Sequence, residues 1–214
     1  MNKSIQLLLA SILLCVFIYP VKAQQVNKAI KLLDQVAANY EKAKGISAHF
    51  DITTMNSAGK QEGTVNGNIQ MLGKQYAFST SEMITWYNGT TQWTYIPSNN
   101  EVNVSTPSEE EIQSINPYLL LKGYKNNFNC IYKGKNKTNE NIELIPKDNS
   151  NEIKKIILYI DVNKYLPVNI IIENKNKTKI RIGVSQIKTG LNFKNSQFVF
   201  DKKKYPDTEI IDLR

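Results

Sequence analysis

Alternation of apolar and polar residues, which begins at Ile46 and recurs along the rest of the chain, restricts the fold more than any other feature. A period of two places apolar residues on one face of a β-strand. Turn-forming residues separate the alternating segments, which predicts about ten antiparallel strands in one sheet, curved where Gly63 and Gly67 interrupt it. The apolar positions are Ile46, Ala48, Phe50 and Ile52; Val65, Ile69 and Met71; Tyr76 and Phe78; Ile142 and Leu144; Ile156, Leu158 and Ile160; Val168, Ile170 and Ile172; Ile180, Ile182 and Val184; and a last short strand at Phe198–Phe200.

One amphipathic helix precedes these strands. Between Val26 and Lys44 apolar residues recur every three or four positions, which is the period of a helix with one buried face. Gly45 follows the last of them and is a typical helix end. The predicted fold class is therefore mainly β, with one helix available to cover a face of the sheet.

The segment from Met83 to Pro97 predicts a β-hairpin. Asn88-Gly89 suits a tight turn with positive φ angles. A two-residue loop at Asn88-Gly89 pairs Trp86 with Thr91, and a loop one residue later pairs Trp86 with Trp93. Either register puts four apolar residues on one surface, which is then either an ordinary packed core or the wall of a cavity. These four are Ile84, Trp86, Trp93 and Tyr95.

The segment from Thr106 to Gly123 interrupts the strand pattern and predicts two short helices across the sheet. Thr106 can cap the first helix, with Glu109 closing a capping box. The second helix carries Tyr118, Leu119, Leu120 and Leu121 in succession. A helix that is apolar nearly all round must be buried, so we expect it to lie against the sheet.

The first 23 residues resemble a cleavable secretory signal, with a lysine at position 3, an apolar run from Leu7 to Tyr19 and small residues before Gln24. We predict cleavage after Ala23; a retained anchor is the alternative. Cys15 follows a leucine, which does not suit lipoprotein acylation. Residues 24–214 are then expected to form a single domain without a disulfide, because only Cys130 remains.

The residues that catalysis would need are scarce. His49 is the only histidine, and no Cys/His cluster or glycine-rich phosphate loop is present. We therefore predict no enzyme, no metal and no cofactor, although carboxylates that meet only in space stay possible in principle. The net charge of +8 comes mostly from lysines in asparagine-rich segments, and only two arginines occur. This argues against nucleic acid binding and leaves weak attraction to anionic membranes open.

The order of these parts resembles the periplasmic outer-membrane lipoprotein carrier family called LolA. The resemblance rests on the signal, the helix, the long sheet, the Asn-Gly hairpin that ends in Trp93-Thr94-Tyr95-Ile96-Pro97, the segment Tyr118–Leu121, and the closing Phe198–Phe200 ahead of Tyr205-Pro206. It implies an incomplete β-barrel whose apolar concave face is covered by the N-terminal helix and a mid-chain helical lid. It also implies a monomeric periplasmic carrier that takes acylated lipoproteins from an inner-membrane ABC-type releasing complex to an outer-membrane acceptor.

Under this resemblance the acyl chains would lie against the concave face, with Tyr118, Leu119, Leu120 and Leu121 as the lid. The expected ligand-binding residues are Phe50, Ile69, Met71, Phe78, Ile84, Trp86, Trp93 and Tyr95.

The chain departs from the family at one place. The family has an Arg-Pro pair at the strand that corresponds to Leu72–Phe78, and that arginine is thought to latch the lid. Here Lys74 is the candidate substitute, although its ammonium lacks the planar fork of an arginine. The alternative function is a carrier or sensor of another lipid or glycolipid in the bacterial envelope with the same fold.

Overall fold

The computed structural model describes residues 19–108, 111–112 and 123–214, with side chains from residue 23 onward. Most of the predicted signal segment and the four lid residues Tyr118, Leu119, Leu120 and Leu121 lie outside the described residues. In the part of the chain that is described, no helix is both long enough and apolar enough to cross a membrane.

One long helix and twelve strands make up the described structure. Helix α1 spans Tyr19–Lys42, and it therefore begins inside the predicted signal segment. A 3₁₀ helix spans Asn195–Phe198, and Val199 and Phe200 follow it outside any strand, so the strand predicted at Phe198–Phe200 is wrong. The strands are β1 (Ile46–Met55), β2 (Gln61–Leu72), β3 (Gln75–Thr80), β4 (Ile84–Tyr87), β5 (Gln92–Ile96), β6 (Glu101–Ser105), β7 (Phe128–Lys135), β8 (Asn139–Pro146), β9 (Ile153–Asp161), β10 (Pro167–Asn174), β11 (Lys179–Thr189) and β12 (Glu209–Asp212).

All twelve strands belong to one open, curved sheet. Their order is β12-β6-β5-β4-β3-β2-β1-β11-β10-β9-β8-β7. Every pair is antiparallel except β12 and β6, which run parallel. The prediction of a curved antiparallel sheet forming an incomplete barrel is confirmed. Strands β6 and β7 and the short parallel edge strand β12 were not predicted.

Helix α1 covers part of one face of the sheet, which we call the inner face. Ala29, Leu33 and Val36 are fully buried on the helix. They pack in one cluster with the inner-facing side chains of β7 to β10, among them Ile142 and Ile156. Burying an aliphatic side chain stabilises a fold by about 1.5–3 kcal/mol, so this cluster anchors the helix and confirms that it covers the concave side.

A polar cluster ties α1 to the helical residues 123–127. The buried Tyr124 hydroxyl donates a hydrogen bond to Asp34 Oδ1 over 2.8 Å, and Lys125 Nζ lies 2.9 Å from Asp34 Oδ2. Burial raises the pKa of Tyr124, which keeps its hydroxyl protonated. Partial burial would raise the pKa of the Asp34 carboxyl, but the hydrogen bonds from Lys125 and Tyr124 outweigh it and hold that pKa below 3.8.

The helix start in the crossing segment differs from the prediction. Ser108 and Glu111 form the capping box: the Ser108 backbone N–H donates to Glu111 Oε2, and the Glu111 N–H donates to Ser108 Oγ. Thr106 and Glu109 had been assigned these roles. Both pairs have the same spacing, so the sequence pattern alone could not distinguish them. Further along, Ile112 packs against a second inner-face cluster that contains Tyr76 and Tyr87.

The hairpin adopts the second of its two possible registers. Trp86 pairs with Trp93, and Thr85 pairs with Thr94. Gly89 lies in the loop with φ of +102°, and Asn88 Oδ1 accepts hydrogen bonds from the N–H groups of Thr90 and Thr91. The predicted division of the hairpin into an apolar face and a more polar face is confirmed.

The apolar face of the hairpin lies on the outer face of the sheet, opposite to α1. Trp86 packs against two aromatic rings: its ring centroid lies 5.7 Å from that of Phe200 and 5.8 Å from that of Tyr205. Tyr95 also contacts Tyr205, at 4.7 Å. Phe198, in the 3₁₀ helix, is fully buried. The segment after β11 therefore covers the outer face over the hairpin, and the fold has a second apolar core there.

We expect Asp34→Asn to destabilise the protein by about 1 kcal/mol near neutral pH, since it removes the charge that Tyr124 and Lys125 stabilise. The expected loss of stability is small because about half of the Asp34 side chain is exposed, so solvent screens its charge. The folded-state pKa of Asp34 is depressed, so its stabilising contribution is present above the unfolded-state pKa and is lost as pH falls through the folded value. Urea unfolding should therefore show a difference between variant and wild type that shrinks below pH 3.8.

Glu62→Gln is the matched control for Asp34→Asn, because Glu62 is an exposed carboxylate. We expect it to leave the urea midpoint nearly unchanged at each pH. A difference between Asp34→Asn and wild type that stays constant down to strongly acidic pH would contradict the role assigned to the charge.

We expect Gly67→Ala to destabilise the protein by about 1–3 kcal/mol through overpacking. A β-carbon at Gly67 would overlap the carbonyl oxygen of Ser79 and approach the Phe50 ring within 2.8 Å. Gly63→Ala is the control on the same strand, because a β-carbon there comes no closer than 3.4 Å to Thr54 Oγ1. Urea unfolding should place Gly63→Ala within about 1 kcal/mol of wild type; equal effects of the two substitutions would contradict this account.

Candidate functional site

An apolar cavity of about 280 Å³ lies on the inner face, beside the C-terminal half of α1. Five strands and the helix contribute to it, so its walls come from distant parts of the chain. Val65 at its border is 42% exposed, which shows that the cavity is open to solvent there. The lining residues are Tyr40, Ile46, Ala48, Phe50, Ile52, Val65, Ile69, Met71, Phe78, Thr80, Met83, Leu166, Pro167, Ile170, Ile182, Val184 and Ile187.

The cavity exists because α1 covers the inner face incompletely. One core cluster joins the helix to β7–β10, and a second joins Ala43, Ile46 and Met71 to Tyr76 and Tyr87. The cavity takes its walls from the margins of both clusters. Between them the apolar side chains of β1, β2, β10 and β11 face open space.

Sheet register explains how the cavity wall is assembled. Phe50 on β1 lies directly opposite Gly67 on β2 and Val184 on β11. Gly67 has no side chain, so the Phe50 ring can occupy the space above it. Ile182 in turn pairs with Ile52 on one side and Ile170 on the other. The result is a continuous apolar surface across β2, β1, β11 and β10.

The cavity offers almost no polar group to a ligand. Among the described residues that line it, only Tyr40 and Thr80 have a polar side-chain oxygen, and none is charged. The Tyr40 hydroxyl donates to Met71 Sδ over 2.8 Å, so it has a partner within the wall. Such a surface can bind hydrocarbon, since each methylene transferred from water is worth about 0.8 kcal/mol. No histidine, cysteine or carboxylate is among the described residues of its wall.

In the part of the chain that the structure describes, no acid and no histidine lines the cavity. His49 points to the opposite face of β1, where Nε2 lies 3.7 Å from Asp51 and Nδ1 lies 3.2 Å from Asn68. Among the described residues, no group of three or more His, Cys, Asp or Glu side chains could hold a metal ion. Cys130 is buried in the main core, and burial raises the pKa of its thiol to about 11. At neutral pH it is therefore a buried thiol that contributes packing.

Four of the eight residues expected at the concave face lie on the cavity wall. Phe50, Ile69, Met71 and Phe78 all line it. They alternate with polar residues along β1, β2 and β3, and the two faces of these strands were assigned correctly. Their role in binding stays a prediction.

The other four residues, Ile84, Trp86, Trp93 and Tyr95, lie on the outer face, and their assignment to the cavity is corrected. The β3–β4 register pairs Phe78 with Thr85 and Ala77 with Trp86. Trp86 thus points away from Phe78. The error has a physical reason: the sheet is apolar on both faces at this point, so alternation identifies two faces without telling which one is inside.

Several cavity residues were not singled out from the sequence as binding residues. Ile170, Ile182 and Val184 belong to alternating segments that predicted strands, but their place in the wall depends on the pairing of β1 with β11, more than 120 positions apart. Leu166 and Ile187 lie next to the bend before β10 and the bulge in β11, respectively. Local sequence patterns contain no signal for such long-range pairing.

Lys74, the candidate latch residue, is exposed in the turn between β2 and β3, next to Gly73 with φ of +59°. It forms no ion pair within 4 Å in the described part of the chain. Its role as a latch stays a prediction, and so does the lid role of Tyr118, Leu119, Leu120 and Leu121.

Comparison with protein families gives one match. Residues 19–176 fit the family described as outer membrane lipoprotein carrier protein LolA, which spans α1 and ten of the twelve strands. A comparison with curated protein sequences gave no match.

Three solved structures are similar to this chain at low sequence identity. An uncharacterized conserved protein from Thermus thermophilus superposes with a TM-score of 0.59 at 11% identity, over 86% of this chain and 99% of that one. A LolA superfamily protein from Nitrosomonas europaea gives 0.48 at 12% identity, over 80% and 97%. A putative outer membrane lipoprotein-sorting protein domain from Vibrio parahaemolyticus gives 0.46 at 11% identity, over 84% and 99%.

The family match covers the helix that packs on the inner face and most of the sheet that forms the cavity wall. The first of these structural neighbours agrees with the architecture of one open, curved sheet. The chain therefore belongs to the LolA family of outer membrane lipoprotein carrier proteins.

Proposed function

We propose that this protein is a periplasmic carrier that binds the acyl chains of lipoproteins in the inner-face cavity and takes them from the inner to the outer membrane. The observation that supports this most strongly is the cavity itself, which is almost entirely apolar and is open beside Val65. Membership of the lipoprotein carrier family makes an acylated protein the favoured cargo.

The physics of such a carrier requires a container and no catalyst. An acyl chain cannot cross an aqueous compartment unprotected, because each exposed methylene costs about 0.8 kcal/mol. Transfer from a bilayer to an apolar cavity is close to neutral, since both environments are dry. Loading and release then depend on opening the cavity, and the uncharged wall of this site suits that task.

The size of the cavity bears on how cargo enters. At about 280 Å³ it is near the lower end of the range of roughly 300–1,000 Å³ that ligand pockets span. A lipoprotein with more than one acyl chain needs more room. The covering elements therefore move outward on loading, and the apolar residues Tyr118–Leu121 close over the chains as a lid, with Lys74 as a substitute for the family's latch.

The remaining parts of the proposal come from the family. Residues 1–23 are a signal removed in the periplasm, and residues 24–214 are one domain that acts as a monomer. The partners are an inner-membrane ABC-type releasing complex and an outer-membrane acceptor. Mass spectrometry of cargo that co-purifies from the periplasm tests the substrate class: a triacylated peptide supports the proposal, and a free lipid or glycolipid supports the alternative carrier or sensor.

Replacement of Ile52 by glutamate should weaken binding of a fluorescent fatty acid at least about tenfold, which corresponds to loss of contact with about two methylenes. Ile52 lines the cavity between Val65 and Ile182, and a carboxylate there is poorly solvated beside an acyl chain. Thr53→Glu adds the same charge on the opposite face of β1 and should bind normally. Equal binding by wild type and both folded variants would count against the cavity.

Replacement of Trp86 by alanine should lower stability by about 2–3 kcal/mol, because its half-buried ring packs on Phe200 and Tyr205. The fatty-acid affinity of the folded variant should stay within about twofold of wild type, since Trp86 lies on the outer face. Thermal unfolding and a fluorescence titration measure the two quantities. Loss of binding in a fully folded Trp86→Ala protein would contradict the placement of Trp86 outside the binding site.

A further inference from the structure

A second, polar pocket of about 400 Å³ adjoins the apolar cavity at the C-terminal end of α1. It lies between the last turns of the helix, the turn before β10 and the end of β11. Leu166 and Ile187 line both spaces, so these two side chains form the boundary between them.

The polar pocket carries two positive charges. Lys42 comes from α1 and Lys164 from the turn before β10. The polar residues Asn39 and Thr189 also line it, and no carboxylate is among its described lining residues. The pocket is thus positively charged where it meets the uncharged cavity.

One carboxylate, that of Asp161, lies near Lys164: the backbone N–H groups of Lys164 and Asn163 lower its pKa, and the Lys164 charge lowers it further. Asp161, in the same turn as Lys164, accepts hydrogen bonds on Oδ1 from the backbone N–H groups of Asn163 and Lys164, each 2.8 Å long, and these fix the turn. Neither Lys42 nor Lys164 forms a salt bridge within 4 Å among the described residues. Asn39 Nδ2 donates to the Lys164 carbonyl over 3.1 Å, which holds the helix end against the turn that carries the second lysine.

We propose that this pocket binds the anionic head group of a lipid whose acyl chain occupies the apolar cavity. The inference rests on the proposed acyl-binding role of the cavity and goes beyond it: the ester and amide linkages of a triacylated peptide are uncharged, so the ligand proposed here is a lipid with a negative charge beside its chain. An apolar wall fixes no direction for a chain, whereas two lysines at one end orient it with its head group between α1 and β10. Ammonium groups supply charge-assisted hydrogen bonds to a carboxylate or a phosphate.

The test compares two fluorescent probes with the same chain, a fatty acid and its methyl ester, at one ionic strength. Wild type should bind the acid about tenfold more tightly than the ester, which corresponds to a difference of about 1.4 kcal/mol in binding free energy. Two exposed lysine–carboxylate contacts can contribute that much. The double variant Lys42→Gln/Lys164→Gln should bind acid and ester equally and should keep the affinity of wild type for the ester. Circular dichroism verifies that the variant is folded.

The control is the double variant Lys137→Gln/Lys203→Gln, which removes two exposed lysines away from the pocket. It should keep the preference for the acid. Loss of the preference in this control as well would assign the effect to net charge and overturn the proposal. Equal binding of acid and ester by wild type would also overturn it while leaving the cavity intact, whereas failure of both probes to bind would instead contradict the proposed function.

Discussion

The need to cover an open β-sheet that is apolar on both faces governs the rest of this structure. Helix α1 packs Ala29, Leu33 and Val36 onto the inner face of β7–β10. The segment that follows β11 packs Phe200 and Tyr205 onto the outer face of the hairpin. A sheet of twelve strands is wider than one helix can cover. The cavity beside α1 is the part of the inner face that is left over.

Because the inner face is covered unevenly, the residues that stabilise the fold differ from those that face the cavity. The two core clusters hold their side chains at or near full burial, and the Asp34–Tyr124 hydrogen bond ties the helix to the segment before β7. Between the clusters, side chains such as Ile52 and Ile182 are only half-buried. A ligand chain that covers them gains the same free energy per methylene that drives folding. The site is thus a region of core that folding leaves incomplete, and it requires no polar recognition of the chain.

For the hairpin, the sequence predicted the two faces and the turn but not which face lies inside. Alternation separated its two faces correctly, and Asn88-Gly89 located its turn. Which face turns inward depended on the pairing of β4 with β3, which sets Thr85 beside Phe78. The same limit applies to Ile170, Ile182 and Val184, which reach the cavity because β11 pairs with β1 across most of the chain. Phe50, Ile69, Met71 and Phe78 were placed correctly because their strands follow one another along the chain, so local patterns sufficed.

The sequence by itself determined most of the strands, the N-terminal helix with its buried face, and the scarcity of residues suited to catalysis. These properties follow from periodicity and composition, which act over a few residues. Only the tertiary structure decided which apolar face lines the cavity, which face belongs to the outer core, and that Lys42 and Lys164 line one pocket beside the cavity. These depend on strand register and on the path of the C-terminal segment. Both depend on contacts between residues that are far apart in the chain. A segment that packs on one face of the sheet cannot also cover the other face.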